Sequence, residues 1–153
     1  MNKFMKLALQ EAKEGIENNE GGPFGAVIVK NGKIIGKGHN RVVLKNDPTA
    51  HAEIEAIRDA CKNINSFSLE GCEIYTTCEP CPMCFSAIHW ARLDKVYYGA
   101  TKEIAAKIGF DDKFIYDILK GEKQDIIKFI QIDIKSSEDM CLEWDKKEDK
   151  ILY

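Results

Sequence analysis

Four residues in two short segments carry the chemistry this sequence can do. Thr49-Ala50-His51-Ala52-Glu53 supplies an imidazole and a carboxylate two positions apart. Glu79-Pro80-Cys81-Pro82-Met83-Cys84 supplies two thiols three positions apart. Zinc accepts imidazole nitrogen and thiolate sulfur, and a catalytic zinc site keeps three protein ligands and leaves one place for water. On a helix, residues i and i+3 share a face, so one ion can reach both Cys81 and Cys84, with His51 as third ligand from another helix start. Both ligand sets would then sit at positive helix ends, which favour thiolate and hydroxide. Mid-helix, His51 and Glu53 would point apart. In a first turn, His51 can face the metal while Glu53 faces the water beside it.

Other uses of the same residues compete. A lone C-x-x-C also serves redox chemistry, or forms half of a structural zinc site. Cys78 or His89 would supply the fourth ligand of such a site, which would leave Glu53 without a task. Cys61, Cys72 and Cys141 read as core thiols. His39 and His89 read as structural, with His39 retained as a minor candidate because it precedes Asn40.

The elements that must position these groups follow from local patterns. Phe4, Leu7, Ala8, Ala12 and Ile16 recur at helical spacing, predicting a helix over 2–18. Strands are expected at 25–30 and 33–36, joined by Asn31-Gly32, a strong hairpin signal. Asp47-Pro48-Thr49 starts a helix running to about Lys62. A strand over 73–77 leads to a helix over 81–91, whose first turn tolerates Pro80 and Pro82. A strand at 95–100, helices at 102–108 and 112–120, a strand at 126–134 and a helix at 138–147 complete the pattern. Strands alternating with helices after an opening hairpin predict an α/β fold, a three-layer α/β/α sandwich with a mixed five-stranded sheet.

The 153 residues suit a single domain with its own core, and 44% hydrophobic with 31% charged residues is the composition of a folded globular chain. A net charge of −3 argues against nucleic acid as partner, because phosphate binding draws on a basic face. No apolar run approaches the ~20 residues needed to span a bilayer. Met1 to Asn19 is charged throughout and lacks the apolar stretch of a secretory signal, so a cytoplasmic location is expected, with thiols free or bound to metal.

His-x-Glu followed by Pro-Cys-x-x-Cys is the recognised signature of zinc nucleobase deaminases. Their chemistry suits the residues. Zinc lowers the pKa of its water to about 7. Glu53 takes that proton and passes it to a ring nitrogen, and in a separate step protonates the departing amine. Backbone N–H groups at Cys81 are placed to steady the developing charge.

A wider set of segments resembles one family. Gly22-Pro23-Phe24-Gly25-Ala26-Val27-Ile28-Val29, Asn46 to Glu53, Thr77 to Cys84, Trp90-Ala91-Arg92 and Gly109-Phe110-Asp111-Asp112 look like the bacterial guanine deaminases of the cytidine deaminase superfamily. The resemblance spans about Gly21 to Tyr116 and returns at Tyr153, while Lys120 to Lys150 departs from the pattern. It implies hydrolysis of guanine to xanthine and ammonia, one Zn2+ per subunit, and a homodimer that exchanges residues of about 136–153. Asn40 matches the residue that hydrogen-bonds the purine, and Asp112 a second acid near the exocyclic amine. Phe24, Ala52, Trp90 and Tyr153 match positions around the base. Taken without the resemblance, Phe24 and Trp90 read equally as core, Asp112 as a helix cap, Asn40 as a turn residue and Tyr153 as a frayed end. Rival functions are a tRNA adenosine deaminase, another nucleoside or nucleobase deaminase, and a non-catalytic zinc-binding module. The acids between Ser136 and Tyr153 make a poor landing place for tRNA phosphates.

Overall fold

Asn31 and Gly32 have positive φ, 51° and 75°, as a two-residue hairpin turn requires. In the computed structural model, which describes residues 1–153, they join β1 (Gly25–Lys30) to β2 (Lys33–His39). β2 runs three residues past its expected end, because Lys37-Gly38-His39 keeps the pairing with Gly25 to Val27 without an apolar pattern to announce it. On its other side β1 pairs antiparallel with β3 (Cys72–Cys78), and β3 pairs parallel with β4 (Lys95–Ala100). The strand order is β2-β1-β3-β4. A parallel pair needs a crossover, and α4 (Pro82–Trp90) provides it.

Both faces of the sheet are covered. α1 (Lys3–Glu17) is capped by Asn2, whose side chain accepts from Phe4 N at 2.9 Å and Met5 N at 3.2 Å. Its Ala8 packs with Val27, Val29 and Tyr75 on one face. On the other face α3 (Ala52–Ile64) and α4 pack on Ala26, Ile28 and Ile74. β1 is therefore buried on both sides, which explains its unbroken apolar run. Each of its Val and Ile side chains contributes about 1.5–3 kcal/mol by leaving water.

α3 lies unusually close to β2. A Cβ on Gly36 would come within 2.6 Å of the Ala56 carbonyl oxygen and the Ala60 nitrogen, and one on Gly38 within 2.6 Å of the Ala56 nitrogen. Glycine on the strand and alanine on the helix permit that approach, and it fixes where the N-terminus of α3 lies.

Three further elements depart from expectation. The sheet has four strands, not five, because residues 126–134 form no ladder. Their apolar residues suit a strand, but a strand also requires a neighbour's backbone, and nothing in this chain pairs with them. They are left in water instead, Ile126 at 79% and Phe129 at 86% exposed. The last helix, α7 (Ile134–Asp145), starts four residues early, and every residue from Gly121 to Asp149 is exposed. A four-residue helix, α2 (Val42–Lys45), was not anticipated. It hangs on the Glu20 carbonyl, which accepts from Val43 N and Leu44 N. α5 (Lys102–Lys107) and α6 (Lys113–Leu119) fall where expected. No helix is long and apolar enough to cross a membrane.

Candidate metal centre and substrate cavity

His51 is the residue preceding the first turn of α3, and Glu53 is the second residue within it. Cys81 holds the corresponding place on α4, where Pro82 opens the helix. Pro is pre-set for that position and has no N–H to lose there. The two helix starts face each other at one end of the sheet. His51 Nδ1 lies 3.5 Å from Cys81 Sγ and 3.6 Å from Cys84 Sγ. A tetrahedral zinc with bonds of ~2.1 Å to nitrogen and ~2.3 Å to sulfur separates N from S by about 3.6 Å. The donor set and its spacing therefore fit zinc. His51, Cys81 and Cys84 are the complete group of mutually close potential ligands. Neither Cys78 nor His89 joins them, so the closed four-ligand site weighed from sequence does not form. Cys78 Sγ instead points to the Thr101 carbonyl at 3.8 Å, and burial pushes its thiol up to about 11.

The protons on this group are already unevenly shared. The Cys84 thiol, with help from His51, pulls Cys81 down to about 4, while the same contact pushes Cys84 up. Contact with the Cys81 sulfur raises His51.

Glu53 is buried, and burial raises its pKa. Thr76 Oγ1 donates to Glu53 Oε1 at 3.2 Å, and Glu53 Oε2 lies 3.4 Å from Cys84 Sγ. Thr76 was missed from sequence. The available signal was a hydroxyl residue on the strand face otherwise formed by Cys72, Ile74 and Cys78.

A cavity of about 510 Å³ opens over this group, within the range of small-molecule sites. Phe24 and Phe110 both line it and touch each other edge to face, with ring centroids 5.0 Å apart. Asn40 lines it with its carbonyl already engaged, since Oδ1 accepts from Gly22 N and Val42 N, both at 3.2 Å. Only the amide NH2 of Asn40 remains free for a ligand. Asp112 also lines the cavity. Its Oδ1 is buried without a hydrogen-bond partner, and burial raises its pKa. Although it stands at the start of α6, it makes no side-chain cap there.

Three expected site residues lie elsewhere. Ala52 is wholly buried in the core beneath α3, because a residue between two that face the site must point away from it. Trp90, six positions beyond Cys84 and hence turned by about 240°, faces outward and is 62% exposed. Tyr153, 72% exposed, rests its ring 5.9 Å from Trp90 of the same chain, outside the cavity. His39 is structural. Its ring is buried between Glu20 Oε2, at 2.7 Å, and Glu11 Oε2, at 3.3 Å, tying α1 to the loop before β1.

Residues 1–100 match the family model described as the cytidine and deoxycytidylate deaminase zinc-binding region, and the chain belongs to that family. Within it, the guanine deaminase of Bacillus subtilis (strain 168) is 53% identical over 130 residues, covering 84% of this chain and 83% of that one. The tRNA-specific adenosine deaminase of Aquifex aeolicus is also 53% identical, but over 97 residues, 63% of this chain and 64% of that one. An X-ray structure of guanine deaminase from Bacillus subtilis matches with TM-score 0.93 and 46% identity, covering 100% of this chain and 99% of that chain. That match includes Lys120 to Lys150, the stretch that looked unlike the family in sequence.

Proposed function

We propose that this chain is a zinc-dependent guanine deaminase, releasing ammonia from C2 of the base to give xanthine. The observation that carries it is the unpartnered carboxylate of Asp112, held in one cavity with the zinc-fitting group and with Glu53. Structural likeness to a guanine deaminase extends over the whole chain, whereas a tRNA:A34 deaminase structure covers 64% of it and tRNA deaminase sequences up to 78%.

A zinc ion held by His51, Cys81 and Cys84 supplies a Lewis acid that lets water attack near neutral pH. The rest is side-chain work. Phe24 and Phe110 hold the planar base by their rings. The free NH2 of Asn40 meets an acceptor on the purine edge. Glu53 takes the proton of the attacking water and gives it to the ring nitrogen beside C2. It then takes the second proton, from the hydroxyl so added at C2, and gives it to the leaving amine, ending in base form as the carbonyl forms. Burial raises its pKa toward the working range, which suits an acid that must also act as base. Asp112 Oδ1 accepts a hydrogen bond from the exocyclic amine and favours its departure.

The substrate assignment is tested by ammonia release from zinc-loaded protein. The expected result is kcat/KM for guanine at least about a hundredfold above that for adenine, cytosine, cytidine or an anticodon stem-loop, since a site built to pair a polar group rejects analogues lacking it. Preference for any of these would overturn the assignment.

The working unit we propose is a cytoplasmic homodimer in which residues of about 136–153 cross to the partner and carry Tyr153 to its cavity. The support is that every residue from Gly121 to Asp149 is exposed, with Ile126, Ile127, Phe129, Ile130 and Ile132 standing in water. Light scattering should give twice the 17.3 kDa chain mass, and a chain ending at Lys120 should be monomeric. A monomeric full-length protein, or a dimeric truncated one, would exclude the exchange.

A further inference from the structure

We propose that Tyr116 is a positioning residue for the deamination, acting through Asp112. The inference rests on the deaminase function proposed above. Its observation is a single hydrogen bond. Tyr116 Oη donates to the Pro80 carbonyl at 2.6 Å. Pro80 immediately precedes the metal ligand Cys81, so the bond joins α6 to the metal loop.

The attachment of α6 is otherwise slight. Its remaining side-chain hydrogen bonds, from Lys113 Nζ to Asp117 at 2.8 Å, stay within the helix. Its backbone bonds beyond the helix reach only the residues just before and after it. Asp112 and Tyr116 are four positions apart and so occupy one side of the helix. Fixing the Tyr116 hydroxyl on the loop therefore fixes the height of the Asp112 carboxylate above the metal group. That carboxylate has nothing else to hold it, since its Oδ1 is buried without a partner.

The segment is fastened to the same loop at its other end. Glu79, one residue before Pro80, accepts from Lys102 N at 3.1 Å and Lys102 Nζ at 3.0 Å. The Lys102 ammonium lies 5.4 Å from the centre of the Tyr116 ring. Glu79, Lys102, Tyr116 and Pro80 thus close a ring of contacts around residues 101–116, the stretch that brings Phe110 and Asp112 to the cavity. A carboxylate that must meet a departing amine within a few tenths of an ångström needs such a fixed mount, because small misplacements are costly in rate.

The test is Tyr116→Phe, which removes the hydroxyl and keeps the ring. Tyr116→Met, also without a donor, serves if the first variant does not fold. Wild-type turnover of guanine, measured beforehand, judges the deaminase function by itself. The expected result is a kcat about tenfold lower with KM within about twofold, since Asn40 and Phe24 still hold the base, with zinc content unchanged and the melting temperature lowered by only about 3–6 °C. In an Asp112→Asn background the same change should alter kcat by less than about twofold, because the group it positions is already gone. Independently of turnover, α6 amides should exchange about tenfold faster in the variant while those of β1 and β3 remain the slowest to exchange. A kcat within twofold of wild type, a change confined to KM, an equal loss in the Asp112→Asn background, or unaltered α6 exchange would each overturn the proposal.

Discussion

Glu53→Gln is expected to lower kcat on guanine by about 10³–10⁴ while leaving the zinc content at one per chain. General acid–base catalysis contributes about 10²–10⁴, and here one side chain performs every proton transfer, so the loss belongs at the upper end. The variant isolates chemistry from structure unusually well. Gln has the size of Glu, keeps an oxygen for the Thr76 hydroxyl at the Oε1 position, and is not one of the three ligand residues. Replacing a buried carboxylate by a neutral amide also removes a desolvation cost, so stability should not fall. Ammonia release in single-turnover and steady-state assays, beside metal analysis of the same sample, measures both quantities. Activity within tenfold of wild type would take the proton relay away from Glu53. It would also revive the non-catalytic zinc module as a description of this fold.

That candidate relay was legible in the sequence because its signals are local. Asn31-Gly32 and Pro82 each specify a backbone conformation by their own covalent structure. His51 and Glu53, two apart, can share a site only at a helix start, and that is where they lie. Phe24, Asn40 and Asp112 came from a family resemblance, and the structure brings all three to one cavity. What stayed hidden depends on a second party. The 126–134 segment has the apolar pattern of a strand, yet pairing is decided by a neighbour's backbone that this chain does not offer. Thr76 and Tyr116 are ordinary residues until folding sets one against Glu53 and the other against Pro80. Trp90 and Tyr153 were placed at the base by resemblance, and within one chain they are instead each other's neighbours.

Removing the metal should abolish turnover altogether. Dialysis against a strong chelator is expected to reduce ammonia release below detection, and stoichiometric zinc should restore it. Magnesium should not, because a two-sulfur, one-nitrogen set is a poor match for a hard cation that prefers oxygen. The fold should weaken as well. An ion present at about a thousand times its Kd stabilises the native state by about 4 kcal/mol. For a chain of this size that corresponds to a fall of roughly 10 °C in Tm on removal. Calorimetry of the apo and reconstituted forms reads this directly. An apo protein that melts with the holo form would mean that the three ligands bear no share of the native stability.

Gly36 and Gly38 touch no substrate and no metal, yet the distance between β2 and α3 leaves no room at either for even one methyl group. α3 would have to tilt to admit it, and His51, at the tip of that helix, would swing with it. Enzyme failure can therefore be seeded at positions outside the cavity, in the plainest residue there is. A survey of tolerated substitutions would find these two positions as unforgiving as the ligands themselves, for reasons of clearance alone.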